Sequence, residues 1–225
     1  MAYNTINLLG QYCKLGDIML LKIVDLEEKR RDAILNAALK EFATKGFDEA
    51  STNVIAKESG ISKGLMFHYV NSKKDLFLFL YDYCTDIINK EYLELMNLNE
   101  RDIFERLRQS YLLQLELLRK YPWIFEFNKV STITKSEEIN KELEERLKGK
   151  QSLCYETMFD LIDESRFRES LDFERCKQLI FWANVGFTNQ ILEDIRNSEN
   201  NELDYDKIIA RIDGYFIELR KLFYK

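Results

Sequence analysis

Apolar residues recur every three or four positions along most of this chain, which is the spacing of amphipathic helices. A first apolar stripe begins near Glu27 and ends before Gly46, a residue suited to the left-handed position at the end of a helix. Two short helices follow, joined by a tight turn at Gly60, and the second covers Lys63 to Tyr69. Three helices in this order predict a helix-turn-helix motif.

Hydroxyl residues stand at the predicted helix starts. Ser51 or Thr52 is placed to cap the first short helix and Ser62 the second, because such side chains accept hydrogen bonds from the free N–H groups of a first turn. Ser72-Lys73-Lys74-Asp75 has the form of a capping box and opens a long fourth helix. Beyond it the pattern predicts further helices over residues 100–120, 123–127, 136–163, 172–197 and 204–225.

Composition favours an all-α fold. One proline and eight glycines in 225 residues are too few turn-formers for an all-β sandwich or barrel. Apolar residues make up 46% of the chain, enough for a buried core, which excludes intrinsic disorder. No apolar run approaches the ~20 residues of a membrane span, and the first residues lack the pattern of a secretory signal. We therefore expect a cytoplasmic all-α protein with no membrane partner.

The available chemistry gives no support to an enzyme. His68 is the single histidine, which excludes HExxH zinc sites and Glu-x-x-His di-iron sites, and a histidine-based catalytic triad would have to use His68 itself. The chain contains no glycine-rich phosphate loop and no nucleophile elbow. Its cysteines (Cys13, Cys84, Cys154, Cys176) are far apart, which is typical of free thiols in a reducing compartment. We expect no catalytic residue, metal or cofactor.

Charge is distributed unevenly along the chain. The formal net charge is −6, yet residues 29–74 carry nine basic and five acidic side chains. A basic segment in an acidic protein is typical of a module that binds phosphates. For the second short helix, one interpretation is insertion into a major groove of DNA. The alternative is a helix that packs in the core through Met66, Phe67 and Val70 while its lysine is merely solvated; of these we expect Met66 and Val70 inside.

Spaced residues between Ile34 and Leu76 resemble the DNA-binding domain of the TetR family of transcriptional regulators. The resemblance implies an N-terminal three-helix DNA-binding domain over residues 26–74 and a larger helical ligand-binding and dimerisation domain over residues 75–225. Residues 1–25 would then form an N-terminal extension, which we expect to be poorly ordered. The positions that carry the resemblance are Ile34, Leu35, Ala37, Ala38, Phe42, Gly46, Phe47, Thr52, Ile55, Ala56, Gly60, Ile61, Ser62, Lys63, Gly64, Phe67, His68, Tyr69, Val70, Lys73 and Leu76.

The resemblance also implies which residues touch DNA. Its base-reading positions fall on Asn53, Lys63, Gly64 and Leu65. Its phosphate contacts fall on Ser51, Thr52, Phe67, His68, Tyr69 and Lys73. Leu65 stands where a polar residue is common, which favours contact with a thymine methyl group. Phe67 stands where tyrosine is usual and removes a phenolic hydroxyl.

The last two predicted helices are apolar over a wider arc than one packing face requires. We expect them to form a four-helix bundle with a second copy across a two-fold axis, and a monomer is the alternative. The expected dimer contacts are Ile180, Ala183, Phe187, Ile208, Ile212, Tyr215, Leu219 and Leu222.

An effector pocket in the larger domain is a further implication of the resemblance. Its aromatic candidates, each of which has ordinary core packing as the alternative, are Tyr111, Trp123, Phe127, Tyr155, Phe159, Trp182 and Phe187. We expect a homodimeric repressor that binds a palindromic operator in double-stranded DNA and that an unidentified small molecule releases or tunes. The alternative function is a helical sensing or protein-interaction module that no longer binds DNA.

Overall fold

A computed structural model describes residues 23, 25–131, 133–147, 155–197 and 204–225. Most of residues 1–25, Cys13, Cys154 and the loop 198–201 lie outside the described residues. The predicted all-α fold is confirmed, because the described chain contains no strand and a single isolated bridge between Phe167 and Tyr224. The helices are α1 (Glu28–Glu49), α2 (Thr52–Glu58), α3 (Lys63–Tyr69), α4 (Lys73–Glu91), α5 (Ile103–Lys120), α6 (Ile124–Val130), α7 (Glu137–Leu147), α8 (Tyr155–Phe159), α9 (Phe173–Asn197) and α10 (Tyr205–Phe223).

Gly46 interrupts α1 as the sequence predicts. Its φ of 67° lies in the left-handed region, where a residue with a side chain would be strained. The chain turns at this point, and Phe47 packs on Phe77 with 5.1 Å between the ring centroids. The break therefore separates the main body of α1 from the few residues that lead into α2.

Two of the three predicted helix caps are present. The Ser62 hydroxyl accepts the Leu65 N–H at 3.2 Å, and the Ser72–Asp75 capping box forms with an Asp75 N–H to Ser72 Oγ distance of 3.1 Å. At α2 the expected cap by Ser51 or Thr52 is wrong in its hydrogen bond, because Ser51 occupies the N-cap position without a capping side-chain bond and Thr52 is already the first helical residue. The backbone N–H of Ser51 instead donates to a Glu41 carboxylate oxygen at 2.9 Å, across the break in α1.

The prediction of a single helix over residues 136–163 is also wrong at its C-terminal end. Helix α7 covers the first part, residues 148–154 lie outside the described chain, and α8 ends at Phe159. Arg106 accounts for the end of α8, because its guanidinium donates hydrogen bonds to the carbonyl oxygens of Met158 and Asp160 at 2.9 and 2.8 Å. Leu161 then adopts a left-handed φ of 56°, which no helix can continue.

The chain divides into two compact units. Unit 1 comprises Met1–Asn89 and Leu118–Lys150, and unit 2 comprises Lys90–Leu117 and Gln151–Lys225. In unit 1 the ring of Phe77 lies 5.1 Å from that of Phe42 and 5.5 Å from that of Phe127, so α4 and α6 share the core of the first three helices. The compact unit is therefore larger than residues 26–74, while the functional boundary at residue 74 stays a prediction.

Helices α9 and α10 carry apolar residues on two faces. Ile180, Ile212 and Leu219 are buried within unit 2. This corrects the expectation that these three form dimer contacts, because side chains packed inside their own protomer offer no surface to a partner. A different set is exposed: Leu179, Trp182 and Val185 on α9, with Ile217 and Leu222 on α10.

Candidate nucleic-acid interface

Helix α3 has one buried and one exposed face. Met66 and Val70 are completely buried, which confirms the part of the helix that the sequence assigns to the core. Lys63, Phe67 and His68 are exposed on the other side. A helix of about two turns held by one face leaves its first turn and its outer side available to a groove of DNA.

The four predicted base-reading residues lie in the first turns of the two short helices. Asn53 is exposed near the start of α2, while Lys63 and Gly64 are exposed and Leu65 is half-buried at the start of α3. A Cβ atom added to Gly64 would meet nothing within 4 Å, so packing inside the chain does not require this glycine. The free space above its backbone suits the close approach of an external group.

The six predicted phosphate contacts are in different environments. Ser51 and Thr52 are half-buried, whereas Phe67 and His68 are exposed. Tyr69 is only 7% exposed and is buried like Met66, so its contact with phosphate stays a prediction. The His68 and Tyr69 rings are in edge contact, with centroids 5.6 Å apart.

Lys73 is bound within the chain, which the sequence did not indicate. Its ammonium donates to the carbonyl oxygens of Asp48 and Ala50, both at 3.1 Å. The same ammonium lies 4.8 Å from the centroid of the Phe47 ring. Lys73 therefore stabilises the segment that leads into α2, and its contact with phosphate stays a prediction.

Lys74 has acidic partners instead of an open surface. Its ammonium lies 2.5 Å from a Glu138 oxygen and 3.4 Å from a Glu142 oxygen, both on α7. The hydrogen bond with Glu138 raises the pKa of Lys74. The two adjacent lysines are thus paired with different parts of unit 1, whereas Lys63 stands on the exposed face of α3, with its ammonium 6.0 Å from the Phe67 ring.

The aromatic pocket candidates are divided between the two units. Trp123 and Phe127 belong to unit 1, where Phe127 is core. In unit 2, Tyr155 and Phe159 stack with centroids 4.8 Å apart. Also in unit 2, Tyr111 contacts Phe187 at 5.7 Å.

Trp182 is 61% exposed, which corrects the expectation that it lines an interior pocket. It shares the exposed apolar face of α9 with Leu179 and Val185. The pocket itself stays a prediction for the buried candidates.

The described residues form neither a membrane-spanning helix nor a cluster of metal-binding side chains. None of the described helices is long and apolar enough to span a membrane. Among the same residues, no three histidine, cysteine, aspartate or glutamate side chains come together in a way that would hold a metal ion.

Comparisons with known proteins place the helix-turn-helix in a family. The family model described as bacterial regulatory proteins of the tetR family matches residues 34–80. A fatty acid metabolism regulator protein of Bacillus subtilis (strain 168) is 23% identical over 154 residues, 66% of this chain and 76% of the relative. An uncharacterized HTH-type transcriptional regulator of the same organism, YuxN, is 36% identical over 93 residues, 41% of this chain and 30% of that relative.

Among solved structures, the ketosteroid transcriptional regulator KstR2 of Mycobacterium tuberculosis has the same fold. The match has a TM-score of 0.58 at 18% identity and covers 89% of this chain and 97% of that one. Residues 34–80, which contain the helix-turn-helix, therefore match the tetR family of bacterial regulatory proteins, and the structural neighbour shares the fold of the chain.

Proposed function

We propose that this DNA-binding transcriptional regulator acts as a homodimeric repressor that reads its operator through the first turns of α2 and α3. The observation that carries the proposal is the division of α3 into a buried face and an exposed one. The buried side chains of Met66 and Val70 anchor α3 in the core, and Lys63 and Gly64 lie on its exposed face. Lysine is suited to the acceptor atoms of guanine and asparagine to adenine, which gives Lys63 and Asn53 their expected roles.

The exposed apolar face of α9 and α10 supports the dimer. Leu179 is 51% exposed, Trp182 61% and Leu222 63%, which is costly surface for a protein that remains alone in water. A second copy that presents the same face across a two-fold axis would cover both surfaces at once. Two copies would also carry two α3 helices, as a palindromic operator requires.

A small-molecule effector that binds the second unit completes the proposal. One relative is named as a fatty acid metabolism regulator, and the interior of unit 2 is rich in aromatic side chains such as Tyr111 and Phe159. We therefore take fatty acids as the first acyl probes. Such a ligand changes DNA binding only if it binds the DNA-free and DNA-bound conformations with different affinities.

Binding to the DNA that flanks the protein's own gene tests the proposal. The wild-type protein should bind one upstream fragment more tightly than scrambled DNA of equal length and composition, and the acyl probes should change that affinity. Equal affinity for both DNAs would contradict operator reading. Absence of any binding at low salt would favour the alternative, a helical sensing module that has lost DNA binding.

A further inference from the structure

The segment between Gly46 and α2 is held from three directions. Lys73 of α4 donates to two of its carbonyl oxygens, and Glu41 of α1 accepts the N–H of Ser51 at 2.9 Å. The third link comes from the residues before α7. The Lys135 N–H donates to Asp48 Oδ2 at 2.9 Å.

Thr134 strengthens that third link. Its hydroxyl lies 3.3 Å from each carboxylate oxygen of Asp48. The Asn140 side chain of α7 donates to the Thr134 carbonyl oxygen at 3.1 Å, and the Ser136 N–H donates to the Thr134 hydroxyl at 3.1 Å. The start of α7 therefore fixes Thr134, and Thr134 in turn contacts the segment ahead of α2.

An acidic side chain at this place needs an explanation. Asp48 is exposed in the basic part of a DNA-binding unit, where a carboxylate repels the phosphates that the lysines attract. Its two oxygens accept hydrogen bonds from Thr134 and Lys135, residues 86 and 87 positions away. Those bonds restrain the backbone four residues before the start of α2 at Thr52.

We propose that Asp48 is a positioning residue for DNA binding. Through Thr134 and Lys135 it joins the start of α7 to the segment ahead of α2 and holds the first turn of α2, with Asn53, in place for the operator. The inference rests on the proposed operator reading by Asn53. It also makes α7 an element whose displacement would be transmitted to the DNA-binding helices through two hydrogen-bonded residues.

The charge of Asp48 makes the inference testable, because the two explanations predict opposite changes in operator affinity. If Asp48 is only an unfavourable charge near DNA, then Asp48→Ala should tighten binding, because a repulsive carboxylate is lost. If Asp48 positions α2, then Asp48→Ala should weaken operator binding about threefold to tenfold, the size of one net hydrogen bond. Asp48→Asn keeps one acceptor oxygen and should fall between the wild type and Asp48→Ala.

Thr134→Val removes the hydroxyl without changing the charge and should also weaken binding. The double variant of Asp48→Ala and Thr134→Val should bind no more weakly than Asp48→Ala alone, because both changes break one link. Asp82→Asn is the matched control. Asp82 pairs with Arg146 of α7 at 3.0 Å but lies along α4, so its loss should leave operator affinity within about twofold.

Operator affinity of these variants is measured by fluorescence anisotropy, beside amide hydrogen exchange of the DNA-free proteins. In Asp48→Ala the amides of the first turn of α2 should exchange faster, while the slope of affinity against salt should stay unchanged because no phosphate contact is lost. Unchanged exchange, tighter binding or additive single-variant effects would overturn the inference. Failure of the wild type to bind any DNA would instead refute the proposed function. The hydrogen exchange of Asp48→Ala would then still show whether Asp48 holds the first turn of α2.

Discussion

Replacing Arg106 by methionine should destabilise the protein by about 3–5 kcal/mol. Arg106 is completely buried in unit 2, and burial lowers the pKa of its guanidinium, which nevertheless stays protonated. The guanidinium donates hydrogen bonds of 2.5–2.9 Å to four backbone carbonyl oxygens, those of Leu98, Glu100, Met158 and Asp160.

The expected magnitude follows from those carbonyl groups. Methionine retains much of the aliphatic stem, so little packing is lost. A fully buried carbonyl group left without a donor costs about 1–3 kcal/mol. These four carbonyl groups lie in part-buried hydrogen bonds, so each loses up to that amount where water does not replace the arginine. Removal of a buried charge recovers part of this sum, because the guanidinium no longer has to be desolvated. The net loss in the free energy of unfolding should still be several times larger than the loss caused by an ordinary surface substitution.

Urea unfolding followed by far-ultraviolet circular dichroism measures the loss. Arg108→Met is the matched control on the same helix, since Arg108 pairs with Asp213 at 2.6 Å and both side chains are more than a third exposed. We expect that control to lose less than about 1 kcal/mol. A loss at Arg106 no larger than the loss at Arg108 would refute the idea that the carbonyl groups depend on the guanidinium.

Three further predictions concern DNA, the dimer and pH. Lys73→Ala should lower the slope of affinity against salt by about 1 if its ammonium contacts phosphate, and an unchanged slope would mean that the ammonium stays with its carbonyl partners. Trp182→Glu should convert the proposed dimer to a monomer in sedimentation velocity, and a dimer that persists in this variant would remove the exposed face of α9 from the proposed interface. Burial opposes the ionisation of Asp102, but hydrogen bonds from Arg220 and Tyr224 outweigh it and lower its pKa from the usual 3.8. The ionised Asp102 therefore stabilises the fold above that pH and loses this effect as the pH falls through its lowered pKa. The free energy of unfolding that Asp102→Asn loses at pH 7 should therefore become smaller in urea titrations below about pH 4. A loss that stays the same at low pH would contradict this reasoning.

Local signals in the sequence were sufficient for the helices that form the DNA-binding unit. Gly46 ends the body of α1, Ser62 caps α3 and the Ser72–Asp75 box opens α4, because each device acts within a few residues. The burial of Met66 follows from the periodicity of α3 in the same way, whereas the burial of Tyr69 does not. Ser51 departs from this rule because Glu41, a residue of another helix, captures its backbone N–H.

Faces and long-range partners could not be predicted from periodicity. In α9 both Leu179 and Ile180 are apolar, and only the packing of unit 2 decides that Ile180 is buried and Leu179 exposed. The partners of Lys73 are backbone carbonyl groups, which carry no sequence signal. Asp48 and Thr134 are 86 positions apart in the sequence, so neither charge nor spacing predicts their contact.

The central claim is that the exposed first turn of α3 reads bases. A set of operator variants, each changed at one base pair, tests it most directly when the affinities of the wild type and of Lys63→Ala are measured side by side. We predict that Lys63→Ala loses discrimination at one base position, worth roughly 1–3 kcal/mol, and keeps it at the others. An equal loss of affinity across every variant, with the discrimination pattern of the wild type intact, would contradict base reading by this helix.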